Sequence, residues 1–142
     1  MEMIGFFREM AHRNGSEIFR ESIQGKVRDH PAYPKAEVKR YLDSGHPIFD
    51  IMETTLDVVN GSFRVPGGSS LVSDGFFVWR ADLSAYVESY NIDLPPHFIS
   101  FVIENGFSVP SASHQTLLSV SAAAEKALGF RADGGAGPSV SA

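Results

Sequence analysis

The sequence predicts an α+β fold, with helices packed on a small antiparallel β-sheet that contains a central hairpin. Three observations predict it. Apolar residues recur at helical spacing in several segments, each closed by glycine, asparagine or proline. Between two of those segments, the stretch SSLVSDGFFVWR alternates about an Asp74-Gly75 pair, which reads as two short strands joined by a tight turn. The bulk composition fits one domain. In 142 residues, hydrophobic residues make up 43% and charged residues 20%, enough to close a core without staples. Residues 1–130 are expected to form this single domain. Residues 131–142, RADGGAGPSVSA, are expected to be a flexible tail, because they cannot bury enough surface to order themselves.

The elements follow in chain order. Helical spacing is partial over Ile4–His12 and over Glu17–Gln24, with Ser16 as an N-cap candidate and Asn14-Gly15 as a break between them. His30-Pro31 and Tyr33-Pro34 keep the next stretch extended, because a residue before proline avoids the α region. Pro34 then suits the first turn of a helix over Lys35–Asp43. Val38, Tyr41 and Leu42 form its apolar face, and Gly45 is its expected C-terminal cap. In IFDIMETTLDVV, Ile48, Ile51, Met52 and Thr55 have helical spacing, whereas Leu56, Val58 and Val59 suit a strand or buried loop. Asn60-Gly61 marks a turn, FRV a short strand and PGGSS a flexible break.

If Asp74-Gly75 is a two-residue type I′ turn, Leu71 faces Val78 and Val72 faces Phe77. One face then carries Leu71, Phe76 and Val78, and the other Val72, Phe77 and Trp79. Apolar residues on both faces imply a strand covered on both sides. Asp82 sits where an N-cap belongs, ahead of a helix over Leu83–Tyr90 with Leu83, Tyr86, Val87 and Tyr90 on one side. Pro96 opens a further helix that Asn105-Gly106 ends. A last helix is expected near His114–Leu128, with Leu117, Val120, Ala124 and Leu128 inward.

Several function classes lose support at this level. The net charge is −5, opposite in sign to the basic face that phosphate neutralisation requires, so no nucleic-acid partner is expected. The charge is compatible with a basic protein partner drawn in by long-range attraction. There is no cysteine, which excludes disulfides and thiolate chemistry and fits a reducing compartment. The opening MEMIGFFREM lacks the basic start and long apolar run of a secretory signal. No run approaches the roughly 20 apolar residues of a membrane span. A cytoplasmic protein without membrane association is the expectation.

Catalytic and cofactor signatures are equally thin. None of His12, His30, His46, His97 and His114 has a second ligand at recognised metal spacing, so no metal and no cofactor is expected. Gly67–Ser70 could cradle an anion with backbone amides, but it lacks the lysine and the following helix of a phosphate loop. No G-x-S-x-G elbow is present. The aromatic cluster Phe76, Phe77, Trp79, Tyr86 and Tyr90 stands out. Such rings are most often core, yet tryptophan, tyrosine and arginine also anchor interfaces. On the interface reading, the contact candidates are Trp79, Arg80, Asp82, Tyr86, Glu88 and Tyr90, with Asp93 beside them.

The stretch from Pro66 to Val102 resembles a pattern in small, mostly uncharacterised bacterial proteins. There G-G-S-S-x-x-x-D-G-x-x-V-W-R-x-D-L precedes a Y-V helix and a Leu-Pro segment. The matching positions are Gly67, Gly68, Ser69, Ser70, Asp74, Gly75, Val78, Trp79, Arg80, Asp82, Leu83, Tyr86, Val87, Leu94 and Pro95. The upstream YPKAEVKRYLDSGHPIFDIM is similar to the same proteins, and the likeness covers residues 30–105. Proteins of this look include suspected immunity proteins of polymorphic-toxin systems. The resemblance therefore implies a non-enzymatic interaction module that binds a toxin domain, and it carries over no catalytic residue. Two alternatives stay open. One is a small-molecule-binding or hydrolytic domain using Gly67–Ser70 with His46 or His97. The other is a structural homo-oligomer pairing through the hairpin edge.

Overall fold

The computed structural model describes residues 1–11 and 18–129. In chain order the strands are β1 (Glu2–Met3), β2 (His46–Phe49), β3 (Thr54–Leu56), β4 (Arg64–Pro66), β5 (Leu71–Ser73) and β6 (Phe77–Arg80). The helices are α1 (Lys35–Asp43), α2 (Leu83–Tyr90), α3 (Pro96–Glu104) and α4 (His114–Ala127). One sheet has the order β1-β6-β5-β2, and β3-β4 form a second, two-stranded sheet. The expected α+β architecture is present, with the hairpin at the centre of its sheet. β1 joins β6 in parallel, so the larger sheet is mixed.

The hairpin turns one residue later than the sequence suggests. Ser73 pairs with Val78, Val72 with Trp79 and Leu71 with Arg80. Gly75 alone takes positive φ, at 98°. Asp74 instead uses its carboxylate, and its Oδ1 accepts from the amides of Phe76 and Phe77 at 2.9 and 2.7 Å. An acidic side chain that satisfies two turn amides replaces the second left-handed residue of a type I′ turn. The shift changes each pairing by two residues. Because strand side chains alternate with period two, the faces survive it. Leu71 and Val78 still share one face, while Val72, Phe77 and Trp79 share the other. Phe76 is the exception: it sits in the turn, exposed, against the ring of Phe101.

Both faces are covered. Phe77 and Trp79 lie in one core with Tyr41 and Val38 from α1, Leu83 and Val87 from α2, and Phe98 from α3. The Trp79 ring lies 6.1 Å from that of Tyr41 and 5.7 Å from that of Phe98. Its indole N–H donates to the Leu42 carbonyl at 3.1 Å, so the one polar atom of the side chain is satisfied. On the opposite face, Leu71 and Val78 pack with Phe6 and with Val120 and Ala124 of α4.

The four helices match the expected segments. Several other expectations are corrected. Ile4–His12 is not a helix: its described part holds a 3-10 turn at Arg8–Met10, and the Ile4 amide donates to the Val78 carbonyl at 2.9 Å. Just ahead of it Glu2 and Met3 pair with Phe77 and Val78, and Ile4 carries that pairing into the segment, so a distant partner overrides a weak local pattern. For Glu17–Gln24, the described residues place a 3-10 turn at Ile23–Lys26 with Ser22 as its cap. Ser16 and the tail at 131–142 lie outside the described residues. The helical spacing of Ile48, Ile51, Met52 and Thr55 yields β2, a connection and β3 instead. Gly45 does not cap α1 with positive φ, since Ser44 takes that position. It is where a chain crosses closely: a Cβ there would lie 2.3 Å from Val72 Cγ1 and 2.7 Å from Trp79 Cζ2. PGGSS is a bonded turn rather than a loose break. The Gly67 amide donates to Glu53, Gly68 to Val65 and Ser70 to Gly67.

Candidate functional site

The motif residues build a buried polar network. Arg80 Nε and Nη2 donate to the two carboxylate oxygens of Asp82 at 3.0 and 2.8 Å. Thr55 Oγ1 donates to Asp82 Oδ2 at 2.9 Å. Asp82 therefore does not cap α2 with its side chain, as the sequence suggests. Two residues apart at a strand end, Arg80 and Asp82 close a bidentate pair, and a charge-assisted fork outcompetes neutral amides for the carboxylate. At the turn end of the hairpin, Asp74 Oδ2 accepts from Tyr41 Oη at 2.6 Å. Burial, and then the Asp74 carboxylate, push the Tyr41 hydroxyl well above its ordinary pKa and keep it a donor.

The interface candidates separate along the chain. Trp79, Arg80, Asp82 and Tyr86 are buried, with Trp79 fully enclosed. They are core, so the contact surface expected of them is not available to a partner. Glu88 is exposed. Tyr90 is half-buried and donates its hydroxyl to Asp57. Tyr86 Oη accepts from the Val58 amide at 2.9 Å. Asp93 pairs with Arg28 at 2.6 Å. The six do not form one patch. Asp57 holds the 57–62 turn through the amides of Val59 and Ser62. Desolvation pushes its pKa up, but the Tyr90 hydroxyl and the amides of Ser62, Val59 and Asn60 outweigh it and hold the carboxyl below the usual range.

The concave surface lies elsewhere. An open groove of about 570 Å³ runs between the connection that follows β2 and the start of β5. Pro47, Ile51, Met52, Pro66, Leu71 and Val72 give it apolar walls, Asp50 and Glu53 supply its charge, and among the described residues no cationic side chain lines it. Ser70 also lines it, but its Oγ is bound to one residue: it accepts from the Ile51 amide at 2.8 Å and donates to the Ile51 carbonyl at 3.2 Å. That hydroxyl holds the groove wall in place. His46 and His97 are absent from the lining. His46 Nε2 meets the Pro110 carbonyl at 3.0 Å, and His97 Nε2 meets the Glu2 carboxylate at 2.8 Å. The serine–histidine pairing that the hydrolytic alternative needs is not assembled.

Met52 is 98% exposed. Asp50 and Glu53 are exposed and have no ion-pair partner among the described residues. Sequence reading passed over this surface because DIMET carries no motif, and its helical spacing pointed inward. Among the described residues, no group of three or more acidic or histidine side chains is placed to hold a metal ion. No helix there is long and apolar enough to cross a membrane. The hairpin has no free edge either: β1 pairs with β6, and β2 with β5. Comparison with protein-family models, curated proteins and solved structures finds no match for this chain.

Proposed function

We propose that the chain is a non-enzymatic protein-interaction module, an immunity protein that binds and neutralises a cognate bacterial toxin domain through a basic surface of that toxin. The observation that carries this reading is the groove, which among the described residues has apolar walls, two carboxylates without an ion-pair partner, an exposed methionine and no cation. Apolar contact supplies area, and the carboxylates supply steering and register toward a cationic partner. The net charge of −5 acts in the same direction at longer range. The resemblance of the 66–102 stretch to suspected immunity proteins supplies the toxin as partner class.

A toxin domain is expected to be encoded beside this chain's gene, and the test is co-expression with it. Growth is expected to recover, and the two proteins are expected to co-purify at moderate salt and separate as salt rises. Cells that die despite expression of folded protein would remove the reading.

A further inference from the structure

We propose that β3 is a docking edge that receives an extended cationic segment of a partner protein as an added strand, with the groove carboxylates selecting its charge. The proposal rests on the interaction-module reading and names the surface and the form of partner that reading leaves open.

Backbone pairing carries the argument. Gly67 N donates to Glu53 O at 2.7 Å, and Asp57 N donates to Phe63 O at 2.9 Å. Thr55 lies opposite Val65 between them. In an antiparallel ladder, bonded pairs alternate with unbonded ones. Residues 53, 55 and 57 therefore spend their backbone groups on β4, while Thr54 and Leu56 turn theirs away from it. Among the described residues the sheet has two strands, and no third strand meets that outer edge. Thr54 and Leu56 are exposed, and neither takes part in a backbone bond elsewhere in the described residues.

Of the other sheet edges, β1 is only two residues long, which leaves little to template a further strand; β2 and β4 are guarded in other ways. β2 carries Pro47 and packs under α4, where Ser121 Oγ donates to the Ile48 carbonyl at 3.2 Å. The outer side of β4 presents Pro66, which has no amide, and Arg64, which repels a cation. β3 has neither device. Thr54 also lines the groove, so a strand added at β3 reaches the groove wall at that end. There it meets Asp50 and Glu53, with Met52 and Leu56 offering apolar cover for alternate side chains. The charge of the lining decides the occupant, because among the described residues it holds two carboxylates and no cation. An acidic segment would bury like charges against each other, whereas a lysine- or arginine-bearing one pairs them.

The probe is an acetylated peptide of alternating lysine and valine, titrated into the full chain and followed by amide chemical shifts and hydrogen exchange. Shifts and slowed exchange are expected at Thr54 and Leu56, and the glutamate–valine analogue is expected to leave both unchanged. Asp50→Lys with Glu53→Lys should weaken peptide binding by about tenfold or more. Leu56→Pro, which removes an outward amide, should abolish it with little change in the melting temperature. Arg64→Ala should leave binding intact or stronger. Shifts centred elsewhere, equal binding of the glutamate analogue, or protection that appears without peptide and grows with protein concentration would each overturn the proposal. The last result would make a second copy the occupant. If these variants still capture the toxin domain, the docking edge is wrong and the interaction reading stands. If the unaltered chain captures no toxin domain, that reading fails independently.

Discussion

The hairpin segment from Ser70 to Leu83 and the connection from Asp50 to Leu56 touch through Ser70 and Thr55, yet they treat polar groups in opposite ways. In the hairpin, Asp74, Arg80, Asp82 and the Trp79 indole are buried, and each has a partner. In the connection, Asp50, Glu53 and the outward backbone of Thr54 and Leu56 face solvent without one. The difference follows from desolvation. A buried polar group without a partner costs about 1–3 kcal/mol, so these interior groups complete their bonds, the buried Ser69 hydroxyl just ahead of them being the exception, while water completes them on the surface at no such cost. Unspent bonding capacity collects where a partner can still reach it. The motif-rich segment is therefore the scaffold, and the plain segment beside it is the candidate site.

The contrast can be broken most severely at Trp79. Trp79→Ala should cost about 3–5 kcal/mol, read by urea denaturation, because it empties a site enclosed on all sides and strips the Leu42 carbonyl of its donor. Asp82→Ala should cost about 3 kcal/mol, since it leaves the Arg80 guanidinium buried without its carboxylate. Replacing both members by apolar residues of similar volume should recover most of that loss. A double variant as unstable as the single one would show that the pair contributes more than its mutual compensation. Gly45→Ala should cost about 1–3 kcal/mol, because the new methyl meets Val72 and the Trp79 ring, and denaturation of the variant checks it.

Asp57 gives the pH arm. Its folded pKa lies below the ordinary value of 3.8, so its stabilisation is fully present above that value and is lost as pH falls through the folded one. Asp57→Asn should be about 1 kcal/mol less stable at neutral pH. The gap to the unaltered chain should close as pH falls below 3.8, measured by thermal unfolding across an acid series. The smallest expected effect on stability is at Met52. Met52→Ser should shift stability by less than about 0.5 kcal/mol, checked by thermal melting, because the side chain is almost wholly in solvent. The same change should weaken toxin capture. A stability loss comparable to that of Gly45→Ala would mean that the connection belongs to the scaffold after all.

Local physics made the four helices legible. Each has an apolar stripe and a breaker within its own few residues, so nothing distant was needed to place Lys35–Asp43 or Leu83–Tyr90. The two faces of the hairpin were legible for a similar reason, since period-two alternation survives a two-residue change in pairing. The register was not, because it depends on the Asp74 carboxylate choosing the amides of Phe76 and Phe77. Strand β1 was hidden because its partner lies on the distant β6. The tertiary structure also decided the burial of Trp79, Arg80, Asp82 and Tyr86. Composition shows that these residues could anchor an interface, but only the helices packed over them show that water is excluded. The open edge at Thr54 and Leu56 was decided in the same way. An exposed backbone group looks like any other in a sequence, and it becomes a site only when every neighbouring strand has been placed and none of them reaches it.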